Sequence, residues 1–359
     1  HKHFMAKEIA EQPGVISAAI GHYLTPEGEI NISLQDIDFT QFDRIVMVAC
    51  GTASYACLTA KYWFEQIARL PVEVDVASEF RYREPPISPR TLAVFVSQSG
   101  ETADTLAALR YCEGKAARIL SVVNVPESSI ARESDLALPI HAGVEVGVAS
   151  TKAFTCQLVV LFALVLKAAR DREAITAEAF ADHISNLRGL PAIVSTALEQ
   201  NDTMQEAALK LSHARDVLFL GRGQMYPLAL EGALKLKEIS YIHAEAYASG
   251  ELKHGPIALV DEHVPVVVMA PRDALFDKTV SNMQEVMARK GKVILISDSK
   301  GQAEANEGVW FSIEMPPVPD ALAPILYAIP AQLLAYHTAV AKGTDVDQPR
   351  NLAKSVTVE

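Results

Sequence analysis

The chain has 359 residues, half of them hydrophobic, with a net charge of −12, a pI near 5.4 and a mean hydropathy of +0.15. That length allows two or three domains with cores of their own, and the apolar content excludes a disordered chain. The acidic balance argues against a nucleic-acid binder, which normally carries a basic face, but leaves room for an anionic ligand, because a loop of backbone N–H donors needs no net positive charge.

Taken in chain order, residues 1–35 mix a helical opening (His3 to Glu11) with Gly and Pro turns and read as an arm rather than a core. The opening at His1, without an initiator Met, reads as a fragment or a processed piece. An apolar strand, Arg44–Ala49, runs into Cys50-Gly51-Thr52. A second strand, Leu92–Val96, stops abruptly at Ser97-Gln98-Ser99-Gly100, and a helical pattern starts at Glu101. A strand that feeds a small, hydroxyl-rich turn opening a helix is a built-in anion site: free N–H groups and the positive end of the helix dipole converge there. Ser97, Ser99 and Thr102 add hydroxyls, and Gly100 lets the backbone come close. With no lysine in the loop it is not the nucleoside-triphosphate pattern, and it suits one phosphate monoester such as a sugar phosphate. An ordinary capped turn reads the same way, since Ser and Thr are good caps.

A third strand comes next at Arg118–Asn124 and an apolar helix at Thr155–Leu166, after which about residues 170–210 read as a charged helical hairpin. The first-half landmarks then recur. Val46 and Leu218 stand at the same separation as Val94 and Val266, Arg118–Asn124 matches Lys292–Asp298, and Thr155–Leu166 matches Ile325–Val340. Each half reads as strand, Gly-containing turn, helix, strand, helix, strand, helix. Continuous apolar strands separated by helices imply a parallel sheet covered on both faces, so the expected fold is α/β: a doubly wound three-layer α/β/α sandwich written twice. Ligands in such sheets sit beyond the carboxyl ends of the strands. The counterpart of Ser97–Thr102 in the second half is Ala270-Pro271-Arg272-Asp273, so the phosphate site is expected once per chain. The domain reading is an arm at 1–35, a first domain with the phosphosugar site at 36–175, a helical connector at 176–207, a second domain at 208–345 and a C-terminal tail at 346–359.

Three segments of the second half carry candidate chemistry. The segment Pro227–Glu245 reads as helical, with Pro227 in the first turn; Glu231, Lys235 and Glu238 share one face, and Leu230, Leu234, Ile239 and Ile242 lie on the other. A surface helix with a Glu–Lys pair gives the same pattern. In Ala248–Pro256, Gly and Pro bracket Glu251, Lys253 and His254, and a histidine held in a rigid loop can shuttle protons near neutral pH. The tail holds Lys354 among small and apolar residues, and a desolvated lysine can attack a carbonyl; a solvated terminal lysine is the plain alternative. The four cysteines (Cys50, Cys57, Cys112, Cys156) show neither C-x-x-C pairing nor metal spacing, which fits reduced thiols in a cytoplasmic protein. No signal peptide is visible, and the longest apolar run, Leu158–Leu166, is too short to span a bilayer.

Ala49–Thr52, Ala77–Arg83, Ser97–Thr102, Val148–Phe154, Ala229–Ser240, Gly250–Pro256 and Asp347–Glu359 together resemble the sugar-isomerase half of the bacterial glucosamine-6-phosphate synthase family, over essentially the whole chain. The resemblance implies two tandem SIS (sugar isomerase) domains, a substrate of fructose 6-phosphate, a product of glucosamine 6-phosphate, and no cofactor or metal. It implies that Ser97, Gln98, Ser99 and Thr102 hold the phosphate, that Cys50, Gly51 and Thr52 line the site, and that Val148 and Ser150 contact the sugar. Glu238 is then the base between C1 and C2, with Lys235 and Glu231 beside it. His254 assists ring opening from the neighbouring subunit of a homodimer, and Lys354 forms an imine with the open-chain ketose. Two departures stand out. Position 53 is Ala where some members have a sugar-contacting Ser, with Ser54 next to it, and the family's N-terminal glutaminase domain lies outside this sequence. Ammonia is therefore expected from elsewhere. Rival readings are a stand-alone phosphosugar isomerase or deglycase, and a sugar-phosphate-sensing regulatory module.

Overall fold

The computed structural model describes residues 1–33 and 35–359; Leu34, inside the predicted arm, lies outside them. Two helices open the chain, α1 (Phe4–Ala10) and α2 (Gln12–Tyr23). Then come β1 (Arg44–Ala49), α3 (Gly51–Trp63), β2 (Val72–Val76), α4 (Ala77–Arg83), β3 (Thr91–Ser97), α5 (Ala103–Cys112), β4 (Arg118–Val123), α6 (Ser129–Glu133), β5 (Leu136–Pro139) and α7 (Lys152–Asp171). Helices α8 (Ala177–Leu198) and α9 (Asn201–Leu211) precede the second series: β6 (Asp216–Gly221), α10 (Met225–Ser240), β7 (His243–Ala248), β8 (Pro265–Met269), α11 (Phe276–Ala288), β9 (Lys292–Ser297), α12 (Ser299–Ala305), β10 (Phe311–Glu314) and α13 (Ala323–Lys342).

The strands form two five-stranded sheets, β2-β1-β3-β4-β5 and β7-β6-β8-β9-β10, with every pairing parallel. The two orders are the same topology, so the repeat legible in the sequence is a repeat of fold. The inner strands are almost wholly buried, as parallel strands covered on both faces must be. In the first sheet Val46, Val48, Ala93 and Phe95 pack one face against Phe80, Ala108, Leu109 and Ile130 of α4–α6. Helices α3 and α7 pack together. In the second, Leu218, Leu220, Val266, Val268, Val293 and Leu295 pack on Phe276, Met283 and Val286 of α11, while α10 packs on β6 and on α13.

The chain divides into two compact, discontinuous units: Gly14–Glu145, Lys152–Gly189 and Ala353–Glu359 with the first sheet, and His1–Pro13, Val146–Thr151 and Leu190–Leu352 with the second. Helix α7 is long and apolar enough to cross a membrane by composition, at a mean hydropathy of 1.7, but its apolar window is wholly buried and it packs on α3 and β4 as a core helix. The expectation from Leu158–Leu166 understated it, because flanking Lys152, Thr155, Gln157 and Lys167 are buried too.

The edge strands β2, β5, β7 and β10 escaped the sequence reading. They are half exposed; β2, β7 and β10 carry charged or polar residues that break an apolar run, and β5 is only four residues long. One segment is corrected outright. The helical pattern assigned to Pro227–Glu245 ends at Ser240, and His243 onward is strand β7. Tyr241 adopts a left-handed conformation (φ 64°), and the Ser240 hydroxyl bonds back to the Leu236 carbonyl while accepting the Ile242 N–H at 3.3 Å. A left-handed residue closes a helix whatever the propensity of the residues beyond it.

Candidate functional site

In the first unit the turn after β3 is ordered by its own hydroxyls. Gly100 is left-handed (φ 68°) and donates its N–H to Ser97 Oγ at 3.0 Å; Ser97 Oγ lies 3.0 Å from Thr102 Oγ1, and Glu101 N–H donates to Ser99 Oγ at 3.2 Å. Thr102 caps α5 with no side-chain bond to it. The one carboxylate in the turn is turned away: Glu101 accepts from the Ser129 N–H and hydroxyl, which hold its carboxyl below the usual range. Gln98 contributes its carbonyl, accepting from Asn124 N–H at 3.1 Å. A β-carbon at position 100 would stand 1.9 Å from Ser128 Oγ, the cap of α6. Gly100→Ala therefore combines left-handed strain of about 1–2 kcal/mol with overpacking of about 1–3 kcal/mol. Urea denaturation is expected to show a loss in that range, and no loss would mean the turn is not so constrained.

The second unit holds the counterpart turn, and there the protein supplies its own anions. Leu275 N–H bonds Asp273 Oδ1 at 2.9 Å and Arg272 N–H bonds Asp298 Oδ2 at 2.9 Å, while the Arg272 guanidinium pairs with Glu304. Burial raises the Asp273 carboxyl above its ordinary range. The two turns thus share a place in the fold but differ in their side chains, hydroxyls in one and carboxylates in the other.

At the neighbouring edge of the first sheet, Cys50 caps α3 and its Sγ lies 3.6 Å from Thr105 Oγ1 on α5. Burial raises the Cys50 thiol, which disfavours the thiolate that a nucleophile needs. All four cysteines are free thiols, and burial pushes Cys112 up to about 12. Gly51 is left-handed (φ 56°), and Thr52 and Ala53 are half buried. Ser54 is 5% exposed and donates its hydroxyl to the Gly51 carbonyl at 2.6 Å, so it does not stand in for a serine at 53.

The final residues belong to this same unit. Ser355 Oγ lies 2.9 Å from Ser99 Oγ, Ala103 N–H donates to the Val356 carbonyl at 3.0 Å, and Arg81 pairs with both Asp104 and Glu359. Lys354 Nζ is 2.5 Å from Glu145 Oε1, and the other oxygen of Glu145 accepts the Ala153 N–H at 2.9 Å in the first turn of α7. The Glu145 side chain has no exposed surface and Lys354 is about one-quarter exposed, so the tail lysine is held rather than solvated. The sequence reading missed Glu145. Its only signal was an isolated acid between Gly143 and Gly147 in an otherwise apolar run.

In the second unit α10 overturns the surface-helix reading. Glu231 and Lys235 are 0% exposed, and Lys235 Nζ lies 3.4 Å from Glu231 and 2.8 Å from Glu238. Glu238 keeps a fifth of its side chain exposed, whereas Leu230 and Leu234, expected on the buried side, are only half buried. Ile239 and Ile242 are buried as well, so the charged face is covered along with the apolar one, which costs desolvation that an amphipathic helix avoids unless the charges serve a purpose. Val148 and Ser150 are half buried, and Val148 N–H donates to the Asp347 carbonyl at 3.0 Å. His254 ends the 3₁₀ turn Ser249–His254, which packs on α11 and β7; it is exposed, and among the described residues no hydrogen bond or ion pair joins it to Glu238. No cluster of metal-ligating side chains occurs among the described residues. A cavity of about 440 Å³ beside Glu29, Lys167 and Asp171 shares no residue with the predicted set.

The SIS-domain family model matches residues 38–167 and 210–342, one match on each sheet. The chain belongs to the SIS family. This SIS chain is 59% identical over its whole length to glutamine–fructose-6-phosphate aminotransferase [isomerizing] of Zymomonas mobilis, and 58% identical to the enzyme of that name from Brucella abortus. It spans 59% of the length of these curated relatives. Among solved structures it is similar to the C-terminal domain of glucosamine-fructose-6-phosphate aminotransferase from Francisella tularensis, with 48% identity, a TM-score of 0.94 and coverage of 97% of this chain and 99% of that one. A Thermotoga maritima glucosamine-6-phosphate deaminase shares the two-SIS fold at 24% identity and a TM-score of 0.77.

Proposed function

We propose that this SIS chain is the sugar-isomerising part of a glutamine–fructose-6-phosphate aminotransferase. It binds fructose 6-phosphate, makes glucosamine 6-phosphate when ammonia is supplied by a glutaminase domain, and makes glucose 6-phosphate without ammonia. The observation that carries the reading is the inward-turned Glu231–Lys235–Glu238 face of α10, for which a regulatory sugar sensor has no use.

Ser97, Gln98, Ser99 and Thr102 take the phosphate at the head of α5, where donors and the helix dipole favour an anion. Cys50, Gly51 and Thr52 line the sugar, and Val148 and Ser150 contact it. Lys354 forms an imine at C2 with loss of water; ammonia then displaces the lysine, and Glu238 takes the C1 proton and returns it to C2. An imine acidifies the adjacent C–H, which is the reason for a lysine. Lys235 fixes the direction of the Glu238 carboxylate, with Glu231 anchoring the pair. His254 assists ring opening from the partner subunit of a homodimer, in keeping with its exposure and its separation from Glu238 in hydrogen bonding.

Calorimetric titration of the 359-residue chain with fructose 6-phosphate should give one site per chain. A coupled assay should then detect glucose 6-phosphate, with glucosamine 6-phosphate appearing once ammonium is added. Binding without either product would leave a sensor and overturn the enzyme reading.

A further inference from the structure

Helix α1 carries no predicted role, yet its side chains are tied to the run that leads into Val148. Glu8 is 2% exposed, and its two oxygens accept the N–H groups of Val146 at 2.5 Å and Gly147 at 2.9 Å. Asp347 closes the arrangement from the far end of the same unit. Its carboxylate accepts the N–H groups of Phe4 and Met5, both at 2.9 Å, at the start of α1, and its carbonyl accepts Val148 N–H at 3.0 Å. Beyond Ser150, the fully buried Gln12 donates to Gln332 at 2.8 Å, and Gln332 donates to the Thr151 carbonyl at 3.2 Å. The backbone from Val146 to Thr151 therefore has no regular secondary structure of its own, and its register is set by side chains on both flanks.

We propose that Glu8 is a positioning residue for the sugar-contacting run Val148–Ser150, acting with Asp347 as a clasp that places this backbone before substrate arrives. A carboxylate suits the task because it offers two acceptors to two consecutive N–H donors, in charge-assisted bonds that a neutral side chain cannot duplicate. Position 147 is adapted to the clasp: a β-carbon there would stand 3.0 Å from Glu8 Oε1. Pre-ordering of a binding backbone removes part of the entropy cost of ligand binding. Its loss falls on KM and not on the chemical step. This role for Glu8 rests on fructose 6-phosphate as the substrate.

Glu8→Gln keeps shape and one acceptor but turns an NH₂ donor toward a backbone N–H. Hydrogen exchange without substrate is expected to speed up at Val146 and Gly147 by about 10–100-fold, with α10 unchanged. KM for fructose 6-phosphate should rise by about 5–20-fold with kcat nearly constant. Unchanged exchange at these amides, or faster exchange with an unchanged KM, overturns the proposal. Should Glu8→Gln loosen α10 as well, Gly147→Ala is the second arm; it crowds the same carboxylate while leaving α1 intact, and an unchanged KM there overturns the clasp too. Because exchange is read without ligand, a wild-type chain inert toward fructose 6-phosphate would sink the substrate assignment alone, and the exchange result would still decide the clasp.

Discussion

Glu238→Gln is expected to lower fructose 6-phosphate isomerisation by about 10²–10⁴-fold, the span a positioned general base contributes, while the dissociation constant for the sugar phosphate changes only a few-fold. The substitution is selective for a geometric reason. Lys235 Nζ donates to Glu238 Oε2 at 2.8 Å, and the amide oxygen of Gln can accept the same bond. Glu238 also keeps part of its surface exposed, so the amide's donor end meets water and not a dry wall. The turn after β3 is ordered within its own unit, by the Ser97, Gly100 and Ser99 bonds and by Ser355. Rates measured against binding thus separate the proton step from recognition. A Glu238→Gln chain that isomerises normally would transfer the base role to another group.

Side chains announce some parts of this structure in the sequence and conceal others. The inner strands were legible because burial on both faces demands unbroken apolar runs such as Thr91–Ser97 and Lys292–Ser297. The edge strands were not, since Val72-Glu-Val-Asp-Val76 and His243–Ala248 carry charges that an edge tolerates. The turn after β3 was legible as a turn, because an apolar run that stops at Gly100 among hydroxyls and gives way to a helical pattern marks where strand ends and helix begins. The inward direction of the α10 charges was hidden. Glu231, Lys235 and Glu238 at helical spacing look the same on a surface, and only the packing of α10 on α13 and β6 decides which face is covered. Glu145 and Glu8 were hidden for a different reason: each acts on backbone N–H groups, which leave no mark in a sequence.

The second large effect is expected at Lys235. Lys235→Met preserves length and apolar stem but removes the cation that lies 3.4 Å from Glu231, a carboxylate with no exposed surface. Removing one partner of a buried pair leaves the other charged in a medium that cannot solvate it, a cost of about 3–5 kcal/mol. Glu238 can turn toward solvent and contributes less to that cost. Urea denaturation of Lys235→Met should show a loss in this range. The double variant Glu231→Gln/Lys235→Met should recover part of it, because the amide needs hydrogen bonds but no counter-charge. Isomerisation should stay impaired in both variants, since neither restores the donor that aims Glu238. If the single variant were as stable as the wild type, the Glu231 carboxylate would be neutralised by other means and the inward-facing charges of α10 would not form a mutually dependent set. If the double variant instead regained activity along with stability, Lys235 would be a structural counter-ion and not the residue that orients the base.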